Sequence, residues 1–257
     1  MRLDLYLYTN KYFKTRTKAL QAINRGEVYV NGKQINKPAF DIDINMNYVI
    51  EIKAEKTFVS LGGFKLEKAL NDFNYNVKNK VAYDIGSSTG GFTDCLIKRD
   101  IKKVYAVDLN DELLDETLKN NPKVVRLIKN VKHLNTEDFF EKPDLIVADL
   151  SFISSDSYLN VLSNLLPNGK DLILLIKPQF ELNEKIKLKN GIIKDNKIIQ
   201  NVCKKIYENA FKNNLYMQNI TIIPFTKNKN KEYLALFKKA DKNFITIEDL
   251  YKKLWKY

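Results

Sequence analysis

Four charged residues stand where apolar runs begin or end. Asp149 follows Ile146-Val-Ala, and Lys177 follows Leu174-Leu-Ile and precedes Pro178. Glu232 opens the run Tyr233-Leu-Ala-Leu-Phe, and Lys65 lies at the start of an amphipathic stretch with Leu66, Ala69, Leu70 and Phe73 on one face. A charge at the end of a buried strand is costly unless it is solvated or paired. Singly, each residue is explained equally well as a solubilising loop charge. Together they form a Lys-Asp-Lys-Glu set. A lysine held neutral can accept or hydrogen-bond the proton of a hydroxyl and so make its oxygen nucleophilic. Repulsion from Lys65 favours the neutral form of Lys177, while Asp149 and Glu232 oppose that and orient the amine.

A second group is set for binding. Val81-Ala-Tyr-Asp-Ile runs into Gly86-Ser87-Ser88-Thr89-Gly90-Gly91, and Phe92 opens a helical pattern. A strand passing through a glycine turn into a helix is how open α/β sheets make a nucleotide pocket. The glycines let the backbone approach a ligand, and the helix start offers N–H groups. The spacing G-x-x-x-G-G is not the dinucleotide pattern G-x-G-x-x-G, which disfavours an NAD-dependent oxidoreductase. Asp84 lies just before the turn, as suits enzymes that bind S-adenosylmethionine. Asp108 ends the next apolar run, Val104-Tyr-Ala-Val, where an acid can accept from both ribose hydroxyls. The plainer alternative for Asp108 is an N-cap for a helix near Asp111. Asn130 and Val131 follow the third run, Lys123 to Ile128, where an adenine would lie. An activated methyl donor beside the lysine set points to transfer onto a ribose 2′-hydroxyl, and no metal is expected.

The elements that must position these residues alternate strand and helix. Further apolar runs at Leu145, Leu172, Ile220 and Tyr233, with a long helical pattern from Asn196 to Asn213, predict a mostly parallel sheet covered on both faces. The last two runs are joined by a short polar loop, so they should pair antiparallel. A short helix is expected from Thr246 to Tyr257, with Leu250, Leu254 and Trp255 on one side. The fold class expected is therefore a Rossmann-like α/β methyltransferase sheet preceded by a small α+β domain. The boundaries expected are 1–56 for the small domain, 57–63 for a linker with Gly62-Gly63 as a flexible joint, and 64–257 for the catalytic domain.

In the small domain, Leu3, Leu5 and Leu7 open a first helix, and Ala19, Leu20 and Ile23 mark a second, capped by Thr15 or Thr17 and ended by Gly26. Asn31-Gly32 signals a hairpin. Arg2, Lys11, Lys14, Arg16, Lys18 and Arg25 make this region basic, with no acid between Lys11 and Arg25. Such a face is commonly just solvated, but it also suits phosphate contacts. Across all 257 residues the net charge is +12, which favours a polyanionic partner unless it reflects a general Lys and Asn bias. No apolar run approaches the roughly 20 residues that span a bilayer, and the N-terminus has no secretory pattern. Cys95 and Cys203 make no disulfide framework. A cytoplasmic protein with no membrane partner is expected.

The layout D-L-Y-L, T-R-T-K-A-L, I-N-R-G-E-V-Y-V-N-G-K, K-P resembles the RNA-binding module of ribosomal small-subunit protein four. S-L-G-G-F-K-L, D-I-G-S-S-T-G-G-F-T-D, N-V-K-H-L, D-L-I-V-A-D-L-S-F-I-S, K-P-Q-F-E and N-K-E-Y resemble the TlyA family over nearly the whole chain. These are RNA ribose 2′-O-methyltransferases with an FtsJ-like domain, sometimes labelled hemolysins. The resemblance implies S-adenosylmethionine as donor, cytidine of ribosomal RNA as acceptor and ribosomal subunits as partners. It carries the catalytic set onto Lys65, Asp149, Lys177 and Glu232, and the donor site onto Asp84–Gly91 and Asp108. Leu61 stands where the family has an arginine before the glycine pair, and lysines replace the usual glycines ahead of Glu232. A membrane-active hemolysin and a non-catalytic ribosome-assembly protein are the rival expectations.

Overall fold

The computed structural model of the chain describes residues 1–24, 26–53, 58–182, 191–223, 229–241 and 243–254. Two compact units are present, Met1–Thr57 and Phe58–Tyr257.

In the first unit, helices α1 (Leu3–Thr9) and α2 (Arg16–Asn24) pack beside strands β1 (Val28–Val30), β2 (Lys33–Gln34) and β3 (Ile50–Ile52), in the order β2-β1-β3. Leu3, Leu7, Ala19, Ala22, Ile23 and Val28 form its core, with Leu5 only partly buried. Of the two candidate caps, Thr15 is the one used: its hydroxyl accepts from the Lys18 N–H at 3.2 Å. Asn31 and Gly32 both have positive φ, 50° and 76°, as the tight β1–β2 turn requires.

The second unit is built on a seven-stranded sheet. Its strands are β4 (Val81–Ile85), β5 (Lys103–Asp108), β6 (Val124–Ile128), β7 (Leu145–Ala148), β8 (Asp171–Ile176), β9 (Leu215–Ile223) and β10 (Glu232–Lys239). The order is β6-β5-β4-β7-β8-β10-β9. The first five strands are parallel, and β10 pairs antiparallel with both β8 and β9. The expected α/β sheet with a closing antiparallel hairpin is thus present. The order in which strands are added reverses between β4 and β7, with β5 and β6 to one side and β7 and β8 to the other, which opens a crevice at their carboxyl ends.

Side chains alternate across this sheet. Val81, Tyr83, Ile85, Ile146, Leu172 and Leu174 face one core, which is covered by α6 (Leu159–Leu165), α7 (Asn196–Lys212) and α8 (Ile247–Leu254). Ala82, Leu145, Val147, Ile173, Leu175 and Leu234 face the other, under α3 (Leu61–Asp72) and α4 (Gly91–Ile97). The expected C-terminal helix is present over Ile247–Leu254, and Trp255 lies outside the described residues. The helix expected near Asp111 is broken instead into a 3-10 turn at Asp111–Leu113 and α5 at Glu116–Lys119. Asn110 and Asp115 cap the two pieces separately.

The glycine pair is not a joint. Helix α3 begins at Leu61, so Gly62 and Gly63 lie in its first turn. That turn meets the start of α4 almost backbone to backbone. A Cβ on Gly91 would lie 2.9 Å from the Gly63 nitrogen and 3.0 Å from the Gly62 Cα. A Cβ on Gly63 would overlap the Phe58 ring. Gly91→Ala should therefore lower stability by about 1–3 kcal/mol, because besides the Ser60 hydroxyl, which can rotate, the atoms it meets are backbone and cannot. Urea unfolding measures this, and an unchanged midpoint would show that the two helix ends have room to part.

Candidate active site

The alternation that builds the two cores also selects the site. Asp84 shares a face with Ala82, Asp149 with Val147, Lys177 with Ile173 and Leu175, and Glu232 with Leu234. All four therefore belong to the face covered by α3 and α4, at the carboxyl ends of the parallel strands or at the neighbouring start of antiparallel β10. Helix α3 supplies Lys65 to the same face.

The structure joins the four catalytic candidates in two ion pairs. Lys177 Nζ lies 2.5 Å from Asp149 Oδ1, and Lys65 Nζ lies 2.5 Å from Glu232 Oε2. The pairs are neighbours in register: Tyr233 opposes Ile176, which sets Glu232 beside Lys177 one step further on. Each lysine thus has its own carboxylate. Lys65 is the fifth residue of α3, so it lies past the first turn rather than at the start of the helix. Lys177 Nζ also donates to the Ser151 hydroxyl at 2.6 Å and lies 5.9 Å from the centre of the Phe180 ring.

The glycine turn lies next to this group. Gly86 has φ 84°, and a Cβ there would come within 2.6 Å of the Asp149 carbonyl oxygen. The Gly86 and Ser87 N–H groups donate to the Val107 carbonyl, and Gly90, at φ 87°, is the residue that leads into α4. Ser88 and Thr89 are exposed, whereas Phe92 is packed into the core and presents only its backbone to the turn. Asp108 accepts from the Ser88 N–H at 2.8 Å and from Leu109 N–H at 2.7 Å. Asn110, not Asp108, caps the turn at Asp111. At the next strand end the Asn130 side chain accepts from Lys132 N–H and caps a short turn, while Val131 is buried.

Asp84 is wholly buried. One carboxylate oxygen accepts from the Thr93 hydroxyl at 2.6 Å, and the other has no hydrogen-bond partner among the described residues. Burial chiefly pushes its carboxyl up to about 7; the Thr93 bonds oppose this, and the charges of Asp149 and Asp108 add to it. An unsatisfied buried oxygen beside a cleared glycine turn and the N–H groups of a helix start fits a polar ligand with cationic character. S-adenosylmethionine has that chemistry, and Asp84, the 86–91 turn and Asp108 are the residues that would hold it.

In the first unit, Arg2 and Arg16 are drawn together. Arg2 Nε and Arg16 Nε donate to the two oxygens of buried Asp4 at 2.9 and 2.8 Å. Burial alone would raise Asp4, but the bonds and charges of Arg2 and Arg16 prevail and hold it below the usual carboxylate range. Lys11, Lys14 and Lys18 are exposed around the same two helices. Arg25 lies outside the described residues.

Sequence reasoning gave no role to Ser151, Phe152, Thr93 or Glu181. The S-F-I-S and K-P-Q-F-E strings contain three of them, but only contacts show what they touch. Asp84 supplies a test of the geometry. A raised acid favours folding while protonated, so its contribution is complete below the ordinary carboxylate range and is lost as pH rises through about 7. Asp84→Asn keeps an acceptor for Thr93 and removes the titration. Without cofactor, the melting temperature of the variant relative to the native protein should rise from pH 5 to pH 8. A difference that stays flat or falls contradicts the buried-acid assignment.

Comparison with known proteins places this geometry among relatives. The FtsJ-like methyltransferase family matches residues 58–240, and the S4 domain matches residues 1–47. "Hemolysin A" of Brachyspira hyodysenteriae is 41% identical, over 92% of this chain and 99% of that protein. The "16S/23S rRNA (cytidine-2'-O)-methyltransferase TlyA" of Mycobacterium tuberculosis is 34% identical, over 76% of this chain and 73% of that one. A solved Streptococcus thermophilus structure described as a hemolysin superposes with a TM-score of 0.74 at 31% identity, covering 99% of this chain and 94% of that one.

Proposed function

Because this chain belongs to the FtsJ-like methyltransferase family and carries an S4 domain ahead of its catalytic unit, we propose that it methylates ribosomal RNA at a ribose 2′-hydroxyl, of cytidine in 16S or 23S rRNA. The donor is S-adenosylmethionine, which supplies a methyl group already activated on a sulfonium. The observation that carries the reading is the pair of ion pairs, Lys177–Asp149 and Lys65–Glu232, set against the glycine turn.

Lys177 is the residue that meets the acceptor. In its neutral form its amine accepts or hydrogen-bonds the hydroxyl proton, and Asp149 stabilises the ammonium that results. Ser151 holds the amine from a second direction. Glu232 keeps Lys65 beside the pair, where a second cation can steady a developing alkoxide. The fit of the turn against Asp149 brings donor and acceptor halves together, so alignment does much of the catalytic work. Next to them Phe152 is 89% exposed, with its ring 4.8 Å from that of Phe180. Such a face is suited to stacking a nucleobase lifted out of an RNA fold.

The first unit supplies affinity. Its exposed Lys11, Lys14 and Lys18, with Arg2 and Arg16, suit phosphates of a structured RNA rather than base edges. The reaction is placed in the cytoplasm, with ribosomal subunits as partners. The hemolysin name belongs to relatives. Among the described residues of this chain no helix is long and apolar enough to cross a membrane.

Lys177→Ala should leave S-adenosylhomocysteine binding intact by calorimetry and lower methyl transfer to ribosomal subunits by about 10²–10⁴-fold. Near-normal turnover in that variant would sink the acceptor role. Replacing Lys11, Lys14 and Lys18 together with alanine should weaken subunit binding and flatten its log–log salt dependence by about 2 in slope. An unchanged slope would remove these lysines from the RNA interface.

A further inference from the structure

We propose that Glu181 is a positioning residue for the acceptor side of the site: its carboxylate ties the end of β8 to the segment after β7, and so holds Ser151 against Lys177 and Phe152 against Phe180. Glu181 lies four positions beyond Lys177, after the short turn Pro178–Phe180, and is only 8% exposed. Its Oε1 accepts from the Ser155 N–H at 2.9 Å. Its Oε2 accepts from the Ser154 hydroxyl at 2.8 Å and the Ser155 hydroxyl at 3.1 Å.

Among the described residues Glu181 has no ion pair, so neutral donors alone satisfy a nearly buried carboxylate. That is a costly way to join two segments if cohesion were all that mattered, since apolar packing would serve as well. What three convergent hydrogen bonds add is direction.

Between Asp149 and Ser154 lie Leu150, Ser151, Phe152 and Ile153. The Asp149 N–H donates to the Ile85 carbonyl at 3.1 Å, which fixes the near end of this span. Glu181 fixes the far end. In between, Phe152 has φ 62°, a left-handed conformation that a bulky residue adopts only when its surroundings impose it. Its ring is nevertheless exposed and makes its recorded ring contact with Phe180, directly before Glu181 in the chain. The restraint therefore comes from the anchored ends rather than from burial of the ring. Ser151, one residue earlier, meets the amine of Lys177. Released from Glu181, the span can relax the strain at Phe152 and carry the Ser151 hydroxyl off that amine. The glycine turn, Asp84 and Asp108 make no contact with Glu181 among the described hydrogen bonds, and the Asp149 carbonyl and Leu150 that lie against Gly86 are at the near end of the span, held to Ile85, so the donor side should change little.

The inference rests on reading Lys177 as the acceptor-side residue, and the test separates the two. Glu181→Ala and Glu181→Gln are compared in the full chain. Glutamine can accept from the Ser155 N–H and donate from its amide to the hydroxyls, so it keeps the tie without the charge. For Glu181→Ala, S-adenosylhomocysteine affinity and the KM for S-adenosylmethionine should stay within about twofold of the native protein. Its kcat on ribosomal subunits should fall about 10–100-fold, the scale of an ångström-level misplacement. Glu181→Gln should restore kcat to within about fivefold. A native kcat in Glu181→Ala overturns the proposal. So does a loss that tracks lost S-adenosylhomocysteine sites, or one that glutamine does not restore. If Glu181→Ala does not fold, Ser154→Ala removes one hydroxyl at a partly buried position and should still lower kcat several-fold; an unchanged kcat there also overturns the proposal. Near-normal turnover in Lys177→Ala would instead refute the earlier reading, whatever the Glu181 variants do.

Discussion

Helices α3 and α4 begin against one another with backbone close to backbone. Gly62, Gly63 and Gly91 allow that contact, and any Cβ at Gly91 would strike backbone. The constraint reaches further than local packing. Gly91 also ends the glycine turn, so the geometry that opens the turn to a ligand is the same geometry that seats α3. Once α3 is seated, its fifth residue is Lys65, within 2.5 Å of Glu232 on the far side of the crevice. Buried Asp94 reinforces the contact by accepting from the Val59 N–H at 2.9 Å and from Lys98 at 2.7 Å. Separating the two helix starts would therefore disturb the ligand turn and the catalytic pairs together.

The second constraint is the pleat. A period of two along each strand puts Asp84, Asp149, Lys177 and Glu232 on a single face of the sheet. A one-residue slip in β7 or β8 would send its charge to the opposite core, among Tyr158, Leu159 and Leu162. Charge in that position would have no partner, so register and function are fixed by one physical requirement. On the chosen face, Lys177 and Lys65 each find a carboxylate, while buried Asp84 has only the Thr93 hydroxyl for one of its oxygens. The site thus contains two ion pairs and, among the described residues, one wholly buried acid without a cation, a division that suits catalysis on one side and cationic ligand binding on the other.

Where reading of the sequence departed from the structure, each departure has a local cause. Two adjacent glycines have high backbone freedom, so Gly62-Gly63 reads as a joint; in the fold, close approach to Gly91 decides their use instead. The helix accordingly starts at Leu61, and Lys65, which reads as the start of the amphipathic stretch, lies one turn inside it. Asp108 and Asn110 are equally good caps by composition, and Asn110 takes that role while Asp108 binds the glycine turn. Helix α6 was not anticipated, because Leu159–Leu165 is short and lies beside a serine-rich stretch that reads as loop. Glu181 carries no mark of its role in the chain, since a glutamate is ordinarily solvated and here becomes buried only through the serines it meets.

By itself the sequence determined the alternation of strands and helices, the short loop that makes the last strands antiparallel, and the position of each charge at a strand end. These follow from periodicity and loop length, which are local properties. It also determined that the Gly86–Gly91 turn could admit a ligand, because the absence of side chains is a property of composition. Only the tertiary structure decided which carboxylate pairs with which lysine, that Asp84 is wholly buried, that the glycine pair serves contact rather than bending, and that Phe152 stands exposed on a span tied by Glu181. Those facts depend on distances between residues far apart in the chain, and hydrogen bonds and ion pairs form only within a few ångströms. Burial is likewise set by what folds over a residue rather than by its neighbours in sequence.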